Sequence, residues 1–128
     1  DVSKHGGDFA KIVNGVNETL DSVTGPLNMT AGYIEKIGNG EIPEKITAVY
    51  QGDFNNIKNS INSCIDGLDG ILEGSNVLGK MSVNDYSCKV EGNYLGIYKE
   101  IGESINQVCD SVNLTIAGIS NVSEGNLE

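Results

Sequence analysis

Nucleophilic or proton-transfer chemistry in this chain would have to come from one histidine, three cysteines and a scatter of carboxylates. His5 is the single histidine. Serine or cysteine catalysis needs a base within reach of a defined nucleophile, and His5 lies in a short opening segment with no such partner. It reads as a solvated connector residue. Cys64, Cys88 and Cys109 are odd in number and lack metal-ligand spacing, which fits a reducing compartment better than a disulfide framework. Glu18, Asp21, Asp66, Asp69 and Asp110 fall off the apolar stripe described below and read as a wet helix face. No glycine-rich stretch follows an apolar strand and leads into a helix with Lys-Ser or Lys-Thr, as a phosphate loop requires. No catalytic residue, cofactor site or metal ligand is therefore assigned.

The overall charge narrows the partners. A formal net charge of -10 and a pI near 4.3 argue against nucleic acid, whose binding rests on clustered Lys and Arg. The eight basic residues form no patch. Asn17, Asn28, Asn113 and Asn121 each open an Asn-x-Ser/Thr sequon, which would suit a secreted glycoprotein but is expected by chance in an asparagine-rich chain. No apolar run approaches bilayer length and no signal peptide opens the sequence. The expectation is a soluble segment of a longer protein, with Leu127-Glu128 open to being a cloning scar.

The elements that would position these residues come from a repeat. Gly52-Asp53-Phe54 is followed by Ile57, Ile61, Ile65 and Leu68. Upstream stand Gly7-Asp8-Phe9, Ile12, Val16, Leu20 and Val23, and downstream Gly92-Asn93-Tyr94, Ile97, Ile101, Ile105 and Val108. Apolar intervals of three, four, four and three place these side chains on one helical stripe. Asp8, Asp53 and Asn93 stand where an N-cap oxygen can accept unpaired backbone N–H groups. The core must be thin, because five percent of residues are aromatic and seventeen glycines lower helix propensity. Narrow stripes on weak helices need partners, and a second chain is expected. The spacing departs from a heptad by one inserted step of four, a stutter that straightens a left-handed coiled coil; an ordinary amphipathic bundle carries the same spacing.

In chain order, residues 1–7 align with residues 46–52 and read as a connector tail. The first stripe continues from Asp8 through Leu27, Thr30, Ile34 and Ile37, with Gly25-Pro26 as a joint, since proline costs about 3 kcal/mol in a helix interior. Gly38-Asn39-Gly40 and Pro43 stop the helix. Residues 38–52 form a connector with Ile42 and Ile46 as apolar plugs, long enough to return the chain so that the next helix runs parallel. The second helix extends past Leu68 and Leu78 to Gly79-Lys80-Met81, with Met81 as the counterpart of Ile42. Val83 and Tyr86 are the expected plugs of the second connector. The third helix starts at Asn93 and adds Val112, Ile116, Ile119 and Val122 to its stripe, ending in Gly125-Asn126-Leu127.

This unit of helix, Gly-x-apolar turn, connector and parallel helix resembles the HAMP domain, specifically the tandem HAMP arrays of methyl-accepting chemotaxis-type receptors. The residues that carry the resemblance are Gly25-Pro26-Leu27, Tyr33-Ile34-Glu35-Lys36-Ile37, Gly40-Glu41-Ile42-Pro43 and Gly52-Asp53-Phe54. Residues 25–68 then form one unit and residues 69–112 a divergent second, with Ser82 after Met81 where Pro43 follows Ile42. Residues 1–24 would be the second half of a preceding unit and residues 113–128 the first helix of a following one. The resemblance implies an all-α homodimer with helices continuous between units. Its core is a parallel four-helix coiled-coil bundle.

Function follows from that reading as a non-catalytic relay, passing helix rotation, tilt or register changes from an upstream input to a downstream signalling domain in the same chain. Small and polar stripe residues such as Thr30 and Ser75, with weak helix formers and a stutter, favour two packings of similar energy, as switching elements require. The implied partner is a second copy of the chain, with no small-molecule ligand or nucleic acid. The implied location is the cytoplasmic part of a receptor, touching membrane only through segments outside residues 1–128. Two other readings stand beside it: a passive coiled-coil spacer of a surface protein, which would use the sequons, and a monomeric helical module recruiting a basic partner to its acidic face.

Overall fold

The computed structural model describes residues 2–125, which are all-α, with three helices and no strand among them. α1 spans Val2–Gly38, α2 Asp53–Met81 and α3 Gly96–Ser123. Two connectors, residues 39–52 and 82–95, join them. The chain divides into two compact units whose sequence boundary falls between Asn62 and Ser63, inside α2.

α1 corrects two expectations. It is helical from Val2, so residues 2–7 are not a connector tail and Asp8 lies inside the helix rather than capping it. No tertiary neighbour lies within 4 Å of where a Cβ would stand at Gly6 or Gly7, so nothing holds a bend there. Elongation of an existing helix adds a hydrogen bond per residue, which outweighs the roughly 1 kcal/mol that each glycine costs. The helix also runs uninterrupted through Gly25-Pro26. Pro26 deprives the carbonyl of Ser22 of its donor. Around it, Thr24 Oγ1 donates to Leu20 O at 2.7 Å and Thr30 Oγ1 to Pro26 O at 2.8 Å.

Each of the first two helices ends in the same turn, and the two turns fix the true repeat. Glu41 N–H bonds Lys36 O and Gly40 N–H bonds Ile37 O, with Gly40 at φ +82°. Forty-four residues on, Asp85 N–H bonds Lys80 O and Asn84 N–H bonds Met81 O, with Asn84 at φ +64°. This is the paired closure of a helix end by a left-handed residue, and asparagine is the side chain that tolerates that conformation best after glycine. Gly79 and Met81 are therefore helical residues of α2, and Met81 is the counterpart of Ile37, not of Ile42.

The same offset relates Gly52 at φ +58° to Gly96 at φ +55°. α3 accordingly starts at Gly96, with Leu95 in the extended N-cap position. Asn93 is a connector residue and caps nothing, and Tyr94 leaves the helical stripe with it. Tyr98 takes the place of Phe54, and the spacing Tyr98, Ile101, Ile105, Cys109, Val112 again runs three, four, four, three. The helix phase is kept; the register is 44 residues where the glycine-aromatic motif implied 40. Asp53 is the first helical residue of α2, where a carboxylate favours the unpaired N–H groups of the helix start.

In the second unit the glycines pack rather than merely weaken the helix. A Cβ at Gly67 would meet the ring of Tyr98, at Gly70 the ring of Tyr94 at 2.9 Å, and at Gly74 Ile105 Cδ1 at 2.8 Å. Contacts 67 to 98 and 74 to 105 advance together, so α2 and α3 run parallel. Val77, Val90 and Ile105 form the buried core, with Met81, Cys88 and Tyr94 against it. Gly102 admits Val90 Cγ1 at 2.9 Å from its would-be Cβ, whereas Gly118 faces open space.

These two glycines predict opposite outcomes. Gly118→Ala should raise the thermal midpoint through a helix-propensity gain of about 0.5–1 kcal/mol. Gly102→Ala should lower it despite the same gain, because Val90 is stiff and overpacking costs about 1–3 kcal/mol. Thermal melts followed by circular dichroism check both.

Candidate functional site

An extended connector has no neighbouring strand to bond its backbone, so each N–H and C=O that leaves water needs another partner. At the two buried positions one asparagine supplies both. Asn62 Oδ1 accepts from Ile46 N–H at 2.8 Å while Asn62 Nδ2 donates to Ile46 O at 2.9 Å. Asn106 does the same for Val90, at 2.8 and 2.9 Å. Only a carboxamide presents a donor and an acceptor side by side in this way. Each clasp spans sixteen residues, and Ile46 and Val90 are 7% and 9% exposed. The clasp thereby seats the connector against the following helix, with Val90 packed against buried Ile105, and Ile61, the residue before Asn62, is buried as well.

The second connector carries further ties. The Glu73 carboxylate on α2 accepts from Glu91 N–H at 2.8 Å, Gly92 N–H at 3.2 Å and Tyr94 Oη at 2.7 Å. The Glu91 amide above all, then the Tyr94 hydroxyl, holds its carboxyl below the usual range. Bonded to that carboxylate, the Tyr94 hydroxyl is pushed up to about 12. From α3, Cys109 Sγ donates to Tyr86 O at 2.9 Å, Asn113 Nδ2 to the same oxygen at 3.1 Å, and Lys89 pairs with Asp110 at 2.6 Å. In the first repeat the place of Glu73 is taken by Met29, which carries no carboxylate.

Two helix-connector-helix passages, closed by the same turn and seated by the same clasp, are the geometry with which a family assignment must agree. The model of the HAMP domain family matches residues 4–70, more than half of the 128-residue chain. The chain belongs to the HAMP domain family. No solved structure matches it. Within this HAMP chain, no helix among the described residues is long and apolar enough to cross a membrane, and no group of three or more His, Cys, Asp or Glu among them could hold a metal ion.

The structure places the sequence-derived residues as follows. Of the connector positions, Gly40 closes the first turn, Ile42 is half-buried and Ile46 is buried. Val83 is 72% exposed and seats nothing. It lies in the turn itself, one residue before Asn84, so the buried position of the second connector is Val90, with half-buried Tyr86 opposite Ile42 in the repeat. Of the helix-stripe residues, Ile61, Ile65 and Ile105 are buried, while Ile37, Phe54, Ile57, Leu68, Tyr94 and Val112 are half-buried. Phe9, Ile12, Val16, Leu20, Val23, Leu27, Ile34, Leu78, Ile97, Ile101, Val108, Ile116 and Ile119 are exposed in the single chain. Of the closing motif Gly125-Asn126-Leu127, Gly125 is left-handed at φ +81°; its last two residues and Glu128 lie outside the described residues.

Asn62, Asn106 and Glu73 were missed. A signal existed for the first two: Ser60-Ile61-Asn62 recurs as Ser104-Ile105-Asn106 at the 44-residue offset.

Asn62→Leu and Asn106→Leu keep the size but remove both bonds, leaving buried backbone groups unpaired at about 1–3 kcal/mol each. Each should lower the denaturant midpoint and speed amide exchange at Ile46 or Val90 respectively, read by NMR. The Glu73 tie has its own pH window. A lowered carboxyl stabilises above the ordinary glutamate range and loses that contribution as pH falls through its folded value; a raised phenol stabilises below the ordinary tyrosine range and loses it as pH climbs toward 12. The Glu91 and Gly92 amide shifts should therefore hold steady between those limits, and in Glu73→Gln the alkaline loss should move down toward the ordinary tyrosine range.

Proposed function

We propose that this HAMP chain is a signal relay of a chemoreceptor or related transducer, working as a parallel homodimer in which helix rotation, tilt or register carries the signal. HAMP domains are non-catalytic signalling modules, which is the class the family assignment supports. The observation that carries the finer reading is the exposed apolar stripe. Phe9, Ile12, Val16 and Leu20 are all more than half exposed along α1, and Ile119 and Val122 along α3. Apolar side chains at this spacing and in this number are the seam of a helix bundle, and a second copy offers the matching seam.

The relay reading gives the connectors a task. Each must hold its neighbouring helices close enough to act together while letting them shift, and one buried side chain on a two-bond clasp does both. The two units differ in how firmly this is done, with Glu73, Cys109 and Asn113 tying the second connector. Neighbouring units with unequal ties favour unequal packings, which suits a chain of switches. The downstream signalling domain and any membrane segment would lie outside residues 1–128, and the cytoplasmic side is where this reading places the chain.

Light scattering across a dilution series should give twice the chain mass. Replacing Ile12 and Val16 by Asp should weaken the dimer by roughly four orders of magnitude or more, since each burial of about 1.5–3 kcal/mol is lost in both protomers. A folded monomer at all concentrations would refute the intersubunit bundle and leave the monomeric binding module. In an intact receptor, Ile46→Asp should lock or abolish output; unchanged output and melting would remove the connector from the mechanism.

A further inference from the structure

The second connector brings two cysteines and a lysine together in a way the relay does not require. Lys80 Nζ, from the last turn of α2, donates to Cys88 Sγ at 3.0 Å, and Ser87 Oγ lies 3.7 Å from the same sulfur. The thiol sits on an open groove of about 330 Å³ that Glu73, Lys80, Lys89 and Glu91 also line. Cys109, on α3, is fully buried, its Sγ 3.6 Å from the carbonyl oxygen of Cys88 itself. The two residues are therefore neighbours, one thiol half-buried at the groove and the other fully buried.

The repeat shows that this connector position also accepts an acidic side chain. At the 44-residue offset Lys80 corresponds to Lys36 and Cys88 to Glu44, so a thiol stands in the connector where the other repeat has a carboxylate. The Lys80 ammonium bond, helped by Ser87, holds the Cys88 thiol below its usual range, against the smaller opposing effects of burial and Asp85.

We propose that Cys88 is a peroxide-oxidisable nucleophile activated by Lys80, and that Cys109 resolves it by closing a disulfide between the second connector and α3. The Cys88 thiolate attacks one oxygen of a hydroperoxide; the S–O bond forms, the O–O bond breaks, and the alkoxide or hydroxide that leaves takes a proton from water or Lys80. Cys88 becomes a sulfenic acid. The Cys109 sulfur then attacks the Cys88 sulfur, the S–O bond breaks, and the hydroxyl leaves with the Cys109 proton as water. Two thiols are oxidised and one peroxide is reduced. The site stands on connector geometry alone and does not depend on the relay reading.

Cys64 is exposed and is the internal comparison: if access alone governed reactivity it would react first. The reduced 128-residue chain, treated with limiting hydrogen peroxide, alkylated and peptide-mapped, should yield a Cys88–Cys109 cross-link within one chain while Cys64 still alkylates. In Cys109→Ser, checked for unchanged helicity, dimedone should trap Cys88 as the sulfenic acid. Lys80→Met should slow Cys88 oxidation roughly threefold to tenfold, the lost thiolate being partly offset by greater nucleophilicity. Oxidation of Cys64 as fast as Cys88, or a Cys88 rate unchanged in Lys80→Met, overturns activation. A persistent Cys88 sulfenic acid in the unsubstituted chain, with no link to Cys109, overturns resolution.

Discussion

A stretch of extended backbone lying on a helix has nowhere to send its amides, and at the buried residue of each connector this molecule answers that constraint with one carboxamide. Because Asn62 and Asn106 each hold both polar groups of one residue, Ile46 and Val90 can be buried without an unpaired donor or acceptor. The rest follows from that seating. The turn after each helix must be tight enough to bring the connector back, and Gly40 and Asn84 make it so. The following helix must begin where the connector ends, and Gly52 and Gly96 set that point.

The helices, their common phase and the two-connector layout were legible because apolar spacing is a local signal with a physical period. Residues 54, 57, 61, 65 and 68 carry it in α2. In α3 the glycine-aromatic motif selects 94, 97, 101, 105 and 108 whereas the 44-residue offset selects 98, 101, 105, 109 and 112, and the two sets share 101 and 105. The register was not, because Gly92-Asn93-Tyr94 imitates Gly52-Asp53-Phe54 in residue type while sitting in a connector. Residue type alone cannot separate a helix start from an aromatic that serves a carboxylate. Tyr94 is drawn out of the stripe by Glu73, twenty-one residues away, and no local pattern announces a long-range bond. The same holds for Val83, apolar and near a turn but pointing to water, while Val90 takes the buried place.

Glycine was the composition feature whose meaning changed most. In sequence seventeen glycines read as weak helix, and along α1 they have open space around them at residues 6, 7, 15 and 25. Between α2 and α3 the absent side chains are what lets two tyrosine rings and Ile105 lie against the helix backbone. Helix propensity is surrendered in the second unit in exchange for close approach, a preference that only a tertiary neighbour can create.

The matched turns also differ in the unfolded state. Gly40 and Asn84 adopt the same left-handed conformation with the same pair of hydrogen bonds, so the native chain treats them alike. The denatured chain does not: a glycine regains more backbone freedom on release than an asparagine. Fraying at Gly40 is therefore entropically the more rewarded of the two, and the connector it opens lacks a counterpart to the Glu73 tie. Two junctions of one shape are set to breathe at different rates.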